Sequence, residues 1–479
     1  MASKHHPHFV MFPFMSKGHT IPLLHLSQLL LSRGVTLTVF TTKANRPFIA
    51  DFLHRHSDSV SIVDLPFPSD VEGIPQGIES TDKLPSMNFF TQFATATKLM
   101  QPDFEQALEK IPHVTCIVSD GFLSWTLASA NKFGVPRLTY FGMSGYSSAV
   151  SQQVGVNRLL SGPETDDDLI TVTRFPWIKI TRNDFFEPFN QRNPMGPHHD
   201  FVMEVMIAMM NSHGQIMNSF YELEPPFLDY LNRESKPKAW CVGPFCLAET
   251  ESTPPKVDRK PKWVEWLDQK LAQGCSVLYV AFGSQAEISS KQLEAISKGL
   301  EESEVNFLWV VRNSEMGFFD ELQERVGERG IIVREWVDQL EILKHESVKG
   351  FVSHCGWNSV LESICSGVPI LAWPMMAEQP LNAKMVVEEI KIGLRVETCD
   401  GSVKGFVMSE GLKKTVKELM EGEKGKEVRK KVMEVGKAAK EAMSEEGSSW
   451  RTLDELIEEV RTVRNLNTET YIDPNGKDR

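Results

Sequence analysis

Two successive series of short apolar runs, each run separated from the next by an amphipathic helical stretch, constrain this chain more than any other feature. In the first series FVMFPF is followed by a Ser-Lys-Gly loop and by TIPLLHLSQLLLSRG, whose leucines fall at helical spacing before a glycine stop. VTLTVFTT and TCIVSD read as further strands, then GFLSWTLASANKFG as a helix and VPRLTYF as a strand. The second series holds SVLYVAFGS, FLWVVR, GIIVREW, GFVSH and VPILAW, again with helix-like segments between them. Strands alternating with helices indicate βαβ units, hence parallel sheets with helices on both faces. Between the series, residues 222–262 concentrate proline and charge in ELEPP, KPK, VGP and TPPKVDRKPK, as an interdomain linker does. A chain of 479 residues also exceeds the roughly 250–300 at which a single hydrophobic core stops growing. The expectation is an α/β protein of two doubly wound, Rossmann-like domains facing a cleft. The first covers 1–244, a linker covers 245–262 and the second domain covers 263–445. Ligands of such sheets lie beyond the carboxyl ends of the strands.

Charge and cysteine usage exclude several classes of function. A formal net charge of −13 argues against a nucleic acid or an anionic membrane surface as partner. The seven cysteines, at positions 116, 241, 246, 275, 355, 365 and 399, form neither a disulfide framework nor a zinc-site spacing, which indicates thiols in a reducing, cytoplasmic setting. No apolar run is long enough to span a bilayer, and the first apolar stretch is broken by Pro13, Lys17 and Gly18, unlike a secretory signal. The charges of Glu421–Glu446 accompany Val428, Val432, Val435 and Ala438 at helical spacing, so this segment is a helix with a solvated face. Asp166–Asp168 follow Gly162 and Pro163 in a polar loop and receive no metal; none is expected elsewhere.

Residues 336–379 read WVDQLEILKHESVKGFVSHCGWNSVLESICSGVPILAWPMMAEQ. Here GFVS is a buried strand, HCGW a tight turn and NSVLESICSG a helix ended by Gly367. A helix N-terminus offers unpaired N–H groups and a positive dipole end, which together favour a phosphate. His354, Gly356, Trp357, Asn358 and Ser359 stand where a diphosphate would land. Glu362, four residues after Asn358 and three after Ser359, shares their side of the helix, and a carboxylate there can accept hydrogen bonds from a ribose diol. Ser284, at the end of AFGS, could hydrogen-bond a phosphate, and Gly283 lets backbone approach a ligand closely.

These 44 residues closely resemble the plant secondary product glycosyltransferase box of the plant UDP-dependent glycosyltransferases (family 1), with aromatic, Gly, Pro, His, Asn, Glu and Gln positions in register. The resemblance implies the GT-B fold, UDP-glucose as donor co-substrate, no cofactor and no metal. It also implies that Trp336 stacks on uracil, Gln339 contacts its edge and Glu362 holds the ribose. His354, Asn358 and Ser359 would hold the diphosphate, and Trp357, Glu378 and Gln379 the sugar. Val337-Asp338 replace a usual Ala-Pro, Lys349 a common glycine, and Glu378 a commoner Asp. A looser likeness extends through FYELEP, VGP and WLD, and is expected to include a C-terminal helix at 446–465 that packs back on the first domain, followed by a polar tail at 466–479.

Transfer to an alcohol needs a base, because a hydroxyl is a weak nucleophile until its proton is taken. His19 follows the first strand and Gly18, and precedes Thr20 and Pro22, which suit a helix start. Asp120 ends the strand TCIVSD on the same rim, where it can accept the imidazole Nδ1 proton. The family carries its catalytic His and Asp in similar settings. An acceptor pocket is expected from Phe14, Phe89, Phe90, Phe122, Phe141, Ser144, Phe185 and Met206, suited to a flat aromatic or terpenoid ligand. The resulting reading is an inverting, monomeric glycosyltransferase without membrane insertion, acting on a flavonoid or other phenolic. The alternatives are a terpenoid or hormone acceptor, or UDP-sugar binding without turnover. A dinucleotide oxidoreductase is disfavoured, since no G-x-G-x-x-G follows any expected strand.

Overall fold

A computed structural model describes residues 6–248, 260–283, 285–311, 316–403 and 405–470 of the chain. Through these residues the chain builds two compact units. One takes in Met1–Gly145, Met195–Glu249 and Ala442–Arg479, the other Tyr146–Pro194 and Thr250–Glu441. Strands β1 His8–Phe12, β2 Thr36–Thr42, β3 Val60–Leu65, β4 Cys116–Asp120 and β5 Arg137–Phe141 are followed by the antiparallel hairpin of β6 Ile170–Val172 and β7 Phe175–Ile180, then by β8 Gly214–Met217 and β9 Lys238–Cys241. The second unit's sheet is made of β10 Val277–Ala281, β11 Asn306–Val310, β12 Gly330–Val333, β13 Val348–Ser353, β14 Ile370–Ala372 and β15 Gly393–Arg395.

Both large sheets are parallel and doubly wound. The seven strands of the first unit lie in the order β3-β2-β1-β4-β5-β8-β9, the six of the second in the order β12-β11-β10-β13-β14-β15. Each sheet therefore starts at a central strand, winds to one edge, then returns to the centre and winds to the other. The reversal falls between β1 and β4 in the first unit and between β10 and β13 in the second. Strands buried on both faces need apolar residues at every position, and this is what β1 shows. Phe9 and Met11 join a layer with Leu23, Leu26 and Leu30 of the helix Lys17–Leu31, whereas Val10 and Phe12 join Phe40, Phe104 and Ile117 on the other face. The C-terminal helix Ser448–Thr470 adds Leu453, Leu456, Ile457 and Val460 to the first of these layers. Arg33 fastens it through Asp454 at 2.8 Å and by stacking over Trp450.

Residues 146–194, expected within the first domain, pack with the second unit, where Ser147 meets Asn382, Trp177 meets Glu389 and Asp184 lies near Lys384. Two other expectations need correction. The proline-rich stretch from 222 is not all linker. Pro225–Glu234 is a helix opened by prolines at its first positions, and Lys238–Cys241 is the edge strand β9. Residues 249–259 lie outside the description. The helix after β1 begins at Lys17, with Ser16 at the N-cap position but no side-chain cap from it, so Pro22 falls inside the helix, and His19 sits in its first turn.

Candidate active site

In the first unit the sheet's reversal point places two residues side by side. Phe12 of β1 pairs in register with Ser119 of β4, and each chain then leaves the sheet at its carboxyl end, into Ser16–His19 and Asp120 respectively. His19 Nδ1 lies 2.7 Å from Asp120 Oδ2. The other carboxylate oxygen accepts the N–H of Phe122 at 3.0 Å. Asp120 is fully buried, whereas the His19 side chain keeps 23% of its exposure. The buried carboxylate fixes the ring with its proton on Nδ1, so that Nε2 carries the lone pair a base needs.

Behind this pair stands a residue that sequence reading passed over. Arg137, in the middle of the sheet at the start of β5, is only 2% exposed. Its guanidinium donates to Ser119 Oγ at 2.8 Å, Thr126 Oγ1 at 2.9 Å, Ser212 Oγ at 2.7 Å and the Asp120 carbonyl at 3.3 Å. Burial lowers its pKa to about 10, and the nearby Asp120 charge works in the opposite direction. The cation thus supports a buried carboxylate without occupying either of its oxygens. An arginine within the apolar run VPRLTYF was the available signal.

Four of the expected acceptor residues form one ring cluster, which meets the histidine through Phe14 and Phe122. Phe122 is the hub, with ring centroids 5.1 Å from His19, 5.3 Å from Phe14, 5.2 Å from Phe90 and 6.1 Å from Phe141. Phe141 can cover residue 121 only because it is glycine, since a Cβ there would meet the ring at 1.9 Å. His198, unremarked in the sequence, extends the patch: its ring lies 6.2 Å from Phe90, and its Nδ1 is 2.9 Å from Thr91 Oγ1. The other expectations fare differently. Phe89 packs against Gly73, Ser144 is fully enclosed, and Phe185 is a buried residue of the second unit. Met206 is half-buried on the helix Pro197–Met210.

The second unit repeats the arrangement at its own reversal point, where Ala281 of β10 pairs with Ser353 of β13. The next residues, Gly283 and His354, are so close that a Cβ on Gly283 would stand 2.9 Å from the imidazole Nε2, and one on Gly356 2.6 Å from it. His354 Nδ1 is buried with no hydrogen-bond partner among the described residues, and burial lowers the His354 pKa to about 4, so the ring is neutral. Beside it begins the helix Trp357–Ser366, whose N-cap Gly356 supplies no side-chain cap and whose positive dipole end faces the His354 turn. Ser284 lies outside the described residues.

Glu362 is held by Gln339, whose amide NH2 donates to Glu362 Oε2 at 2.6 Å and to Ser359 Oγ at 2.8 Å. Burial pushes the Glu362 carboxyl up to about 7 against the pull of that amide. Tyr279 donates to the Gln339 carbonyl oxygen at 3.3 Å, so both ends of this side chain are engaged within the protein. The Gln339 side chain thus orients Glu362. Trp357, expected against the sugar, has its indole in the core at 1% exposure and can offer a ligand only its backbone. Trp336 is 51% exposed. Asp338, a departure from the family pattern, caps the next helix by accepting from the N–H groups of Leu340 and Glu341. After β14, Gln379 Oε1 accepts from the N–H groups of Met375 and Met376, both at 2.9 Å, so its NH2 end turns away from that turn.

Comparison with known proteins supplies the family. The family described as "UDP-glucoronosyl and UDP-glucosyl transferase" matches residues 257–441, and "Glycosyltransferase, N-terminal domain" matches residues 8–247. The chain is 54% identical over 476 residues to UDP-glycosyltransferase 90A1 of Arabidopsis thaliana, covering 97% of this chain and 98% of that protein. This chain belongs to the plant UDP-glycosyltransferases. Its reaction is glycosyl transfer from a UDP-sugar. UDP-glucose flavonoid 3-O-glucosyltransferase 7 of Fragaria ananassa is 34% identical over 483 residues, 95% of this chain and 96% of the relative. Among solved structures, Glycyrrhiza uralensis UGT73P12 complexed with glycyrrhetinic acid 3-O-monoglucuronide matches with a TM-score of 0.88 at 29% identity, over 98% of both chains. Phytolacca americana UGT2 complexed with UDP-2fluoro-glucose and pterostilbene matches with a TM-score of 0.77 at 28% identity, over 95% of this chain and 99% of that one. The GT-B fold follows from these likenesses.

In this glycosyltransferase the Asp-rich loop is structural. Asp166 pairs with Arg182, Asp167 accepts from Asn183, and Asp168 accepts from the backbone of Glu164 and Thr165. Among the described residues no acidic, His or Cys group is arranged to hold a metal, and no helix is long and apolar enough to cross a membrane.

The two shifted groups of the donor site make opposite contributions to stability. His354, depressed from 6.5 to about 4, contributes stability that is present above pH 6.5 and lost as pH falls towards 4. Glu362, raised from 4.5 to about 7, contributes stability that is present below pH 4.5 and lost as pH rises through 7. Thermal unfolding of the ligand-free enzyme should show this. The gap in Tm between wild type and His354→Gln widens from pH 4 to 6.5, whereas the gap for Glu362→Gln narrows from pH 4.5 to 7. Parallel pH profiles for all three proteins would refute both assignments.

Proposed function

We propose that this enzyme transfers glucose from UDP-glucose to a hydroxyl of a small phenolic acceptor, in one displacement that inverts the anomeric carbon. His19 Nε2 takes the acceptor proton, the freed oxygen bonds to C1 of the sugar, the bond from C1 to the β-phosphate oxygen breaks, and UDP leaves. The imidazolium is stabilised by Asp120, and the leaving diphosphate by the helix start at Trp357–Ser359 and by His354. Trp336 would stack on uracil and Glu362 hold the ribose, with Glu378 and Gln379 on the sugar hydroxyls.

The observation that carries this reading is the 2.7 Å bond from His19 to a fully buried Asp120, set against a patch of phenylalanine rings. Flat rings pack on such a patch edge-to-face or offset, which suits phenolics. The pterostilbene bound by the Phytolacca structure and the flavonoid in the name of the Fragaria relative support this class. The triterpenoid glucuronide of the Glycyrrhiza structure makes a terpenoid acceptor the rival. Seven free thiols suit a cytoplasmic setting.

The test is to incubate the enzyme with UDP-glucose and, separately, a flavonol, a stilbene and a triterpenoid acid, then read the product anomer by NMR. A β-glucoside of the phenolics is expected, since the donor is α-linked. An α-linked product would overturn the single displacement, and transfer to the triterpenoid alone would overturn the acceptor class.

The held carbonyl of Gln379 gives a second expectation. In Gln379→Glu the acceptor oxygen for Met375 and Met376 is retained while the outward NH2 is lost. The KM for UDP-glucose should rise about tenfold with UDP inhibition unchanged, because one donor to a sugar hydroxyl disappears. Steady-state kinetics with UDP-glucose and product-inhibition constants for UDP check it.

A further inference from the structure

Two turns of the donor unit carry non-glycine residues in the left-handed region. Cys355 has φ +62° between His354 and Gly356, and Ala377 has φ +52° just before Glu378. Such conformations are costly for residues with a Cβ, and persist where surrounding contacts hold them. One buried side chain touches both turns. Asn382 is completely enclosed. Its amide NH2 donates to the Cys355 carbonyl at 3.0 Å and to Glu378 Oε1 at 3.3 Å, and its carbonyl oxygen accepts the Ser147 hydroxyl at 2.7 Å. These three bonds require the amide to be oriented one way only, with the oxygen towards Ser147.

We infer that Asn382, oriented by Ser147, is a positioning residue for donor recognition: it fixes the Glu378 carboxylate relative to the diphosphate turn and so sets sugar discrimination without touching the substrate. This rests on the reading of Glu378 as a sugar contact. The physical reason is rotamer freedom. A glutamate side chain loses much conformational freedom when a ligand orders it, and a buried amide that holds one carboxylate oxygen removes part of that cost before the sugar arrives. The diphosphate turn has supports of its own. The Cys355 N–H donates to Ser353 Oγ at 3.1 Å, and His354 is clasped between Gly283 and Gly356. Loss of Asn382 should therefore affect the sugar far more than the nucleotide. Ser147 has a further consequence. It comes from the chain's first 150 residues, so a residue remote in sequence from the 336–379 segment takes part in donor choice.

The experiment compares Asn382→Ala, Ser147→Ala and Glu378→Ala with wild type, measuring kcat and KM for UDP-glucose and UDP-galactose and the dissociation constant of UDP. Asn382→Ala is expected to lower kcat/KM for UDP-glucose by about 10–100-fold, as for other outer-shell partners, and to bring the glucose-to-galactose ratio close to that of Glu378→Ala. UDP affinity should stay within about threefold, and Asn382→Ala should add little in the Glu378→Ala background. Ser147→Ala, which removes only the orienting hydroxyl, should give a smaller change in the same ratio and serves if Asn382→Ala does not fold. If Glu378→Ala shifts the ratio and neither other variant does, the inference fails while the reading of Glu378 survives. An unchanged ratio in Glu378→Ala overturns the reading itself and the inference with it. Equal loss of UDP and UDP-glucose binding in Asn382→Ala would mark a purely structural role and overturns the inference too.

Discussion

Replacing His19 by alanine lowers kcat for sugar transfer by about 10²–10⁴-fold and leaves the affinity for UDP within about twofold of wild type. The expectation follows from what the ring is built to do. Its Nδ1 is committed to Asp120 at 2.7 Å, and Asp120 is kept from turning by the Phe122 N–H on its other oxygen. A ring held this way offers Nε2 in one direction and gains charge at little reorganisation cost. The groups proposed for UDP all belong to the second unit, so the loss should appear in turnover and not in nucleotide binding. Asp120→Asn is expected to cost a comparable factor, because an amide there can offer its NH2 to Nδ1 and so favour the tautomer with its proton on Nε2. Single-turnover transfer to a phenolic acceptor, with UDP binding measured on the same preparation, decides the matter. An undiminished rate in His19→Ala would remove His19 from the mechanism.

The acid limb of kcat/KM in Arg137→Met moves to higher pH by roughly one unit, so that activity below the limb falls about tenfold, whereas Arg137→Lys keeps the wild-type profile. The sign does not depend on how His19 and Asp120 share a proton. Removing a buried cation from beside the pair strengthens its hold on a proton wherever that proton resides. Other charges on the surrounding elements are already matched, Glu204 with Lys98 and Glu105 with Lys132. The hydroxyls that Arg137 leaves behind have other partners: Ser119 bonds Thr126, Thr126 bonds the Leu123 carbonyl and Ser212 bonds the Ala208 carbonyl. Removing one partner of a buried charge pair nevertheless costs about 3–5 kcal/mol, so folding of Arg137→Met is checked first by its circular dichroism. A pH–rate profile for the three proteins is the measurement. A stationary limb in a folded Arg137→Met would assign the arginine to packing alone.

The parts of this protein legible in its sequence were those that local chemistry decides. Buried strands of a parallel sheet are short, apolar and β-branched, so β1, β2, β4, β5 and most of the second sheet could be read directly. The donor turn was equally plain, because glycines, a histidine and a helix start in one register have few other uses. What escaped depended on distant partners. β9 lies between Pro237 and Pro244, whose disruptive signal outweighed its apolar character, and β8, only GQIM, is too short and too polar to stand out. The transfer of Tyr146–Pro194 to the second unit rests on pairs such as Ser147 with Asn382, 235 residues apart. That the Trp357 indole lies in the core was not legible either, because the side of a helix that faces the core is set by the sheet beneath it. Gln339 likewise showed its type in the sequence and its partners, Ser359 and Glu362, only in the fold.

The helix Ser448–Thr470 has a consequence for how the molecule is made. It completes the layer behind β1 and β4, the strands that carry His19 and Asp120, yet it is synthesised after the whole of the second unit. During translation the donor-binding unit can close on itself as soon as its last strand and helices emerge, while the earlier part of the chain waits with Leu23, Leu26 and Leu30 short of their partners Leu453, Leu456 and Val460. The layer that backs β1 and β4 is thus closed by a helix made after the second unit.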